Sequence, residues 1–112
     1  MAVYRCTLTQ TANGGATKWD PPKPEGFEIG DQIVFGSFDG VWKISFGDSP
    51  FDPLPVLREF GGNPKEEQKG TLVRTGDFPC DCALNVDGQA VINWNGAGGR
   101  GDDVRIPRQT GQ

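Results

Sequence analysis

Gly76-Asp77-Phe78-Pro79-Cys80-Asp81-Cys82-Ala83-Leu84-Asn85 is the stretch on which the fold turns. Phe78, Cys80, Cys82 and Leu84 alternate with Pro79, Asp81, Ala83 and Asn85. A period of two puts every second side chain on one face, so this is a strand with an apolar inner side. Both sulfurs lie in the inward phase with Phe78 and Leu84. Asp87-Gly88 then supplies a two-residue hairpin turn, and Ala90, Ile92 and Trp94 alternate with Val91 and Asn93 on the return.

The same period recurs outward from this hairpin. Tyr4, Cys6 and Leu8 alternate with Arg5, Thr7 and Thr9, and Asn13-Gly14-Gly15 closes that strand. A loop carrying Trp19, Asp20-Pro21-Pro22 and Pro24 follows, because proline has no N–H for a ladder. Phe27 and Ile29 lead through Gly30-Asp31 into a buried strand, Gln32-Ile33-Val34-Phe35. After the Asp39-Gly40 turn signal, Trp42, Ile44 and Phe46 alternate with Val41, Lys43 and Ser45. Residues 47–70 are irregular, with at most one helical turn around Val56-Leu57-Arg58-Glu59-Phe60 and a solvated Asn63-Pro64-Lys65-Glu66-Glu67. Thr71-Leu72-Val73-Arg74 starts the next strand, and Val104-Arg105-Ile106 forms a last short one. There is no internal repeat.

Short strands separated by turns, without crossover helices, predict one all-β domain over residues 1–112, an antiparallel Greek-key β-sandwich with a frayed polar tail at 107–112. Composition agrees. Helix-forming runs are absent, while 17 Gly and 9 Pro punctuate segments whose 3 Trp and 7 Phe supply a core.

From Asp20-Pro21 onward the chain resembles the cupredoxin-like sandwich. Phe27-Glu28-Ile29-Gly30-Asp31-Gln32-Ile33-Val34-Phe35 is similar to that family's entry of apolar strand, Gly-Asp and apolar strand. Trp42-Lys43-Ile44-Ser45-Phe46 stands where the family's fourth-strand region commonly carries a copper histidine. Gly76-x-Phe78-x-Cys80-x-Cys82 is similar to the Gly-x-Tyr-x-Tyr-x-Cys strand leading to the copper loop; Cys82 then matches the copper cysteine and Cys80 takes an aromatic position. The resemblance covers residues 20–106 and implies the fold. The departures imply that copper activity is lost, because the chain has no histidine and Met1 is its sole methionine. An immunoglobulin-like sandwich is the structural alternative.

Composition bounds function. A formal charge of −4 with scattered basic residues argues against nucleic acid. No apolar stretch approaches membrane-spanning length. Met1-Ala2-Val3-Tyr4-Arg5-Cys6 lacks a basic leader followed by an apolar run, so a cytoplasmic protein is expected, a secreted mature chain being the alternative. Three cysteines are too few for a disulfide framework; one bridge from Cys6 to Cys80 or Cys82 is conceivable in an oxidising compartment, and buried free thiols are the simpler reading.

Each motif with chemical potential has a plainer explanation. Cys80 and Cys82 could form half of a soft-metal or redox site with Cys6, yet their inward phase keeps thiols protonated and inert. Gly96-Ala97-Gly98-Gly99-Arg100-Gly101 matches Gly-x-Gly-x-x-Gly, but no helix follows to receive a phosphate, and Asp102-Asp103 would repel one. Arg100-Gly101-Asp102 matches the integrin tripeptide on a glycine-rich loop suited to display. Asp48-Ser49-Pro50 offers a hydroxyl but no imidazole base, and reads as a turn. The carboxylate pairs Asp52 with Glu59 and Asp102 with Asp103 read as surface charge. No enzyme and no cofactor are expected.

Trp42 and Trp94 fall on inward phases and are expected in the core, whereas Trp19 is the candidate exposed aromatic. Phe51, Leu54, Val56, Leu57 and Phe60 either cap one end of the sandwich or form an apolar interaction patch. The leading expectation is a non-catalytic binding module with a protein partner. Its candidate contacts are Trp19, Phe51, Leu54, Leu57, Phe60, Arg100 and Asp102, carried on loops of a rigid scaffold. The alternatives are a thiol-based metal or redox protein using Cys6, Cys80 and Cys82, and a carbohydrate-binding module using Trp19 with loop Asn and Asp side chains.

Overall fold

A computed structural model describes residues 2–52, 59–94 and 102–108, and among these there are ten strands and no helix. They are β1 (Val3–Thr11), β2 (Gly14–Asp20), β3 (Gln32–Gly36), β4 (Val41–Phe46), β5 (Phe51–Asp52), β6 (Glu59–Gly62), β7 (Glu67–Leu72), β8 (Gly76–Val86), β9 (Gln89–Trp94) and β10 (Asp102–Ile106). The first sheet runs β2-β1-β3-β7-β5 and the second β10-β8-β4-β6. All pairings are antiparallel except β1 with β3. β9 lies on the same edge of β8 as β10, because β8 meets β4 through Cys80–Asn85 on its other edge. The result is a two-layer β-sandwich.

The period-two pattern sets which face is buried. On β8, Phe78, Cys80, Cys82 and Leu84 are buried while Asp77, Pro79 and Asp81 are exposed. Facing them are Cys6 and Leu8 of β1 and Ile33 and Phe35 of β3, with Trp42, Ile44 and Phe46 of β4 beside them. Each large apolar side chain removed from water contributes about 1.5–3 kcal/mol, which is what holds the two layers together. Asp87 and Gly88 both take positive φ, 53° and 82°, and make the tight hairpin that their sequence predicts. Gly40 lets β4 start against β8, since a Cβ there would lie 2.0 Å from the Asn85 carbonyl oxygen.

Several expectations are corrected. Residues 14–20, read as loop, are strand β2, and the β1–β2 turn is Ala12-Asn13 with Thr11 paired to Gly14. An edge strand of sequence GGATKWD has almost no apolar alternation, so it leaves no period to read. The irregular 47–70 stretch contains β5, β6 and most of β7. β6 offers one inward apolar residue, Phe60, and Glu59-Phe60 is extended rather than helical; residues 56–58 lie outside the described residues. In β7 the inward position before Leu72 is Gly70, where a Cβ would sit 2.5 Å from the Phe51 ring. Leu72 therefore ends a strand instead of opening one. Trp94 is half-buried against the core, and all three cysteines are free. At the C-terminal side, Gly26 leaves room for the Pro107 ring, 2.7 Å from where a Cβ would be.

Candidate functional site

The two long sides of the sandwich are closed by opposite chemistry. Where β5 and β6 form the sheet edges, Phe51 and Phe60 stack with Phe35 and Phe46, with ring centroids 4.9 to 6.4 Å apart. Where β2 and β10 form the edges, the inward position is a carboxylate. Asp102 pairs with Cys80 in the β8–β10 ladder and so shares its inward phase, while Asp103 points outward. Thr17 and Trp19 of β2 pair with Leu8 and Cys6 and face it from the other sheet.

Each oxygen of Asp102 is met by two donors. Thr17 Oγ1 and Trp19 Nε1 donate to Oδ2 at 3.1 and 2.9 Å. Lys23 Nζ and the Asp103 amide donate to Oδ1 at 2.6 and 2.8 Å. Lys23 also reaches Asp103 Oδ1 at 2.8 Å and lies 5.6 Å from the centre of the Trp19 ring. Burial opposes ionisation of Asp102, and the Lys23 and Trp19 hydrogen bonds outweigh it, holding the carboxyl below its ordinary range. Burial opposes the charge on Lys23 as well, and Asp102 and Asp103 overcome it, so its pKa is raised. The cluster is a polar clasp between sheets. An inward charge on an edge strand also discourages pairing with another chain.

The clasp touches the thiols. Cys80 Sγ donates to the Asp102 carbonyl oxygen at 3.4 Å. Burial, with smaller contributions from Asp102 and Cys82, pushes the Cys6 thiol well above its usual value. Interaction with Cys82, then burial, raises Cys80, and the same interaction makes Cys82 the more acidic of the two. All three are within 3 % of complete burial. Among the described residues no three His, Cys, Asp or Glu side chains are grouped to hold a metal.

The sequence-predicted contact residues therefore separate into three groups. Trp19 and Asp102 come together, but as partners within the clasp; Trp19 sits on β2, half-buried and 5.7 Å from the Phe27 ring, instead of on an exposed loop. Asp102 faces inward rather than standing on display. Phe51 and Phe60 are wholly within the core. Leu54, Leu57 and Arg100 lie outside the described residues, as does the Gly96–Gly101 motif. Ser49 is buried in the expected turn, its Oγ accepting from the Phe51 amide at 3.1 Å.

A feature that sequence reading missed lies on the outer face of the second sheet. Register places Gly61, Lys43, Ala83 and Asn93 in one rung across β6, β4, β8 and β9. The next rung holds Glu59, Ser45 and Asp81, and the one on the other side Val41 and Asn85. Lys43 is flanked by the two smallest side chains, Gly61 and Ala83, and leans onto Glu59 at 2.9 Å. This leaves a groove of about 320 Å³ over Val41, Gly61, Ala83 and Asn85. A hollow of about 180 Å³ adjoins it through Lys43 and Ala83, bounded by Ser45, Asp81, Asn93 and Trp94. A Cβ on Gly61 would lie 3.1 Å from the Trp42 carbonyl oxygen, a tight contact. No protein-family model matches the chain, and no curated protein matches it.

Proposed function

We propose that the protein is a non-catalytic binding module whose ligand lies across the outer face of the β10-β8-β4-β6 sheet. The observation carrying this reading is the groove over Gly61 and Ala83, a concave surface that the register of three strands, β6, β4 and β8, creates. Support also comes from the fate of the chemically capable groups. Asp102 and Lys23 are engaged with each other and with Trp19, and the thiols are buried. The apolar patch that would favour a protein partner through residues 47–60 has less support, because Phe51 and Phe60 fill the interior.

The sandwich is read as cupredoxin-like with Greek-key connections and without copper chemistry. The parallel β1–β3 pair and the inward Cys82 support this reading, and the absence of histidine weighs against a copper site. A thiol-based metal or redox role is the second reading, favoured by Cys80 and Cys82 standing at successive inward positions of β8. Stoichiometric zinc or copper in protein purified under reducing conditions, lost in Cys80→Ser/Cys82→Ser, would establish that role instead.

The test of the first reading fills the groove. Ala83→Arg adds a long side chain on an exposed face and leaves the core intact. Ligands recovered by the natural protein from a displayed random-peptide library or from soluble polysaccharides should bind Ala83→Arg about tenfold more weakly or worse, a loss of about 1.4 kcal/mol. Undiminished binding by Ala83→Arg, or no ligand at all, would refute it.

A further inference from the structure

We infer that Asn13 is a site of spontaneous deamidation, and that the β1–β2 turn is where this chain acquires an isoaspartyl link. The inference is independent of the binding-face reading. An asparagine followed by glycine is open to attack on its own side chain, because the attacking nitrogen belongs to a residue with no Cβ to crowd it. Nitrogen and carbonyl carbon close a five-membered ring, so the nucleophile is present at high effective concentration. The Gly14 nitrogen bonds to Asn13 Cγ, the Cγ–Nδ2 bond breaks, and ammonia leaves with the proton given up by the Gly14 amide. Water then opens the succinimide. Cleavage at Cγ gives aspartate; cleavage at the backbone carbonyl gives isoaspartate, in which the main chain runs through Cβ and Cγ. One water is consumed, one ammonia is released, and a neutral amide becomes a carboxylate.

The structure singles out Asn13. Thr11, Ala12 and Asn13 are exposed at the tip of the β1–β2 hairpin. Thr11 Oγ1 accepts from the Asn13 main-chain amide at 3.3 Å, and no described residue holds the Asn13 side chain. Gly14 follows at φ 115°, a conformation open to glycine. The other described candidates are worse placed. Asn63 precedes Pro64, whose nitrogen has no proton to give. Asn85 and Asn93 lie in β8 and β9 and are followed by the bulky Val86 and Trp94. Asp39 is held by the Gln10 amide at 2.7 Å, and the Gly40 behind it is buried. Asp87 precedes Gly88, but its carboxylate is a poorer electrophile than an amide. Asn95-Gly96 lies outside the described residues.

The modification has a structural consequence. Isoaspartate adds one main-chain atom to a turn whose ends, Thr11 and Gly14, are paired. The next residue is pressed against β9, since a Cβ on Gly15 would lie 2.2 Å from Ile92 Cγ1. The longer turn must open that pair or shift that contact.

The test incubates the full chain in mildly alkaline buffer, folded and, in parallel, unfolded in guanidinium, and follows each asparagine by peptide mass mapping. Attack needs the turn to loosen by about one hydrogen bond, so conversion at Asn13 should be about tenfold slower in the folded protein than in the unfolded chain. Over that time the Asn13 peptide should gain one mass unit and divide into aspartyl and isoaspartyl forms, while Asn63, Asn85 and Asn93 stay intact. The corresponding peptide of Asn13→Gln should show no gain, because its longer side chain cannot close the five-membered ring. In an Asn95→Gln background, the isoaspartyl form should melt below Asn13→Asp, which carries the charge without the extra atom. Asn13 still intact in the folded protein after the unfolded chain has converted many times over would overturn the inference. So would conversion of Asn85 or Asn93 ahead of it.

Discussion

Replacing Asp102 tests the clasp quantitatively. In Asp102→Ala, Thr17 Oγ1 and Trp19 Nε1 lose their acceptor, and Lys23 keeps only Asp103. All three hydrogen bonds end on an ionised carboxylate, so each falls in the charge-assisted range of about 1.5–3 kcal/mol before allowance for solvent, of which about 1 kcal/mol each is retained at this half-buried edge. Lys23 is 26 % exposed and retains a partner, so the lower part of that range applies and is discounted further. The total is about 3 kcal/mol, out of the 5–15 kcal/mol typical of a domain. At about 4 °C per kcal/mol for a chain of this size, the melting temperature should fall by about 12 °C. Asp102→Asn keeps one acceptor oxygen for Thr17 and Trp19 but presents an amide to Lys23, and should cost about half as much.

The pH dependence separates this account from a general loss of packing. The folded-state pKa of Asp102 is lowered, so the unfolded chain binds its proton more readily. The stability it contributes is therefore complete above the unfolded value of about 3.9, and is lost as pH falls through the folded one. Urea denaturation followed by tryptophan fluorescence should show natural protein and Asp102→Asn separated at pH 7 and converging between about pH 5 and pH 2. Equal stability at pH 7, or a gap that widens in acid, would refute the clasp.

Two further outcomes follow from packing. Phe51→Ala should cost about 3–5 kcal/mol in chemical denaturation, because it empties the centre of the four-phenylalanine cluster; a change below about 1 kcal/mol would return Phe51 to the surface. Gly40→Ala should destabilise by several kcal/mol or fail to fold, since its Cβ would overlap the Asn85 carbonyl, and an unchanged melting temperature would contradict the β4–β8 approach.

What the sequence made legible tracks where apolar residues alternate. β1, β3, β4 and β8 carry inward apolar or Cys side chains at every second position, and their faces read directly; in β9 a register shift opposite Leu84 and Asn85 breaks the alternation, so Ala90, expected inward, is exposed. β2, β6 and the start of β7 are edge or glycine-bearing strands, where ladder bonds and neighbouring rings do the work and the local pattern is silent. The clasp was illegible for another reason. Asp102 and Trp19 are 83 positions apart, and only the pairing of β10 with β8 and of β2 with β1 brings them together. The groove has the same origin: Lys43 and Ser45 read as outward, but the neighbours Gly61 and Ala83 depend on strand register.

The central claim is that the chemistry-bearing side chains are turned into the sandwich and that recognition belongs to its outer face. The thiols test its first half most directly. Cys6, Cys80 and Cys82 are all buried and free, so reaction with a thiol-specific disulfide reagent at pH 8 must wait for opening of the fold. The account predicts no fast-reacting thiol in the native protein and three on addition of guanidinium. Prompt stoichiometric labelling of any one of them in the native state would contradict it.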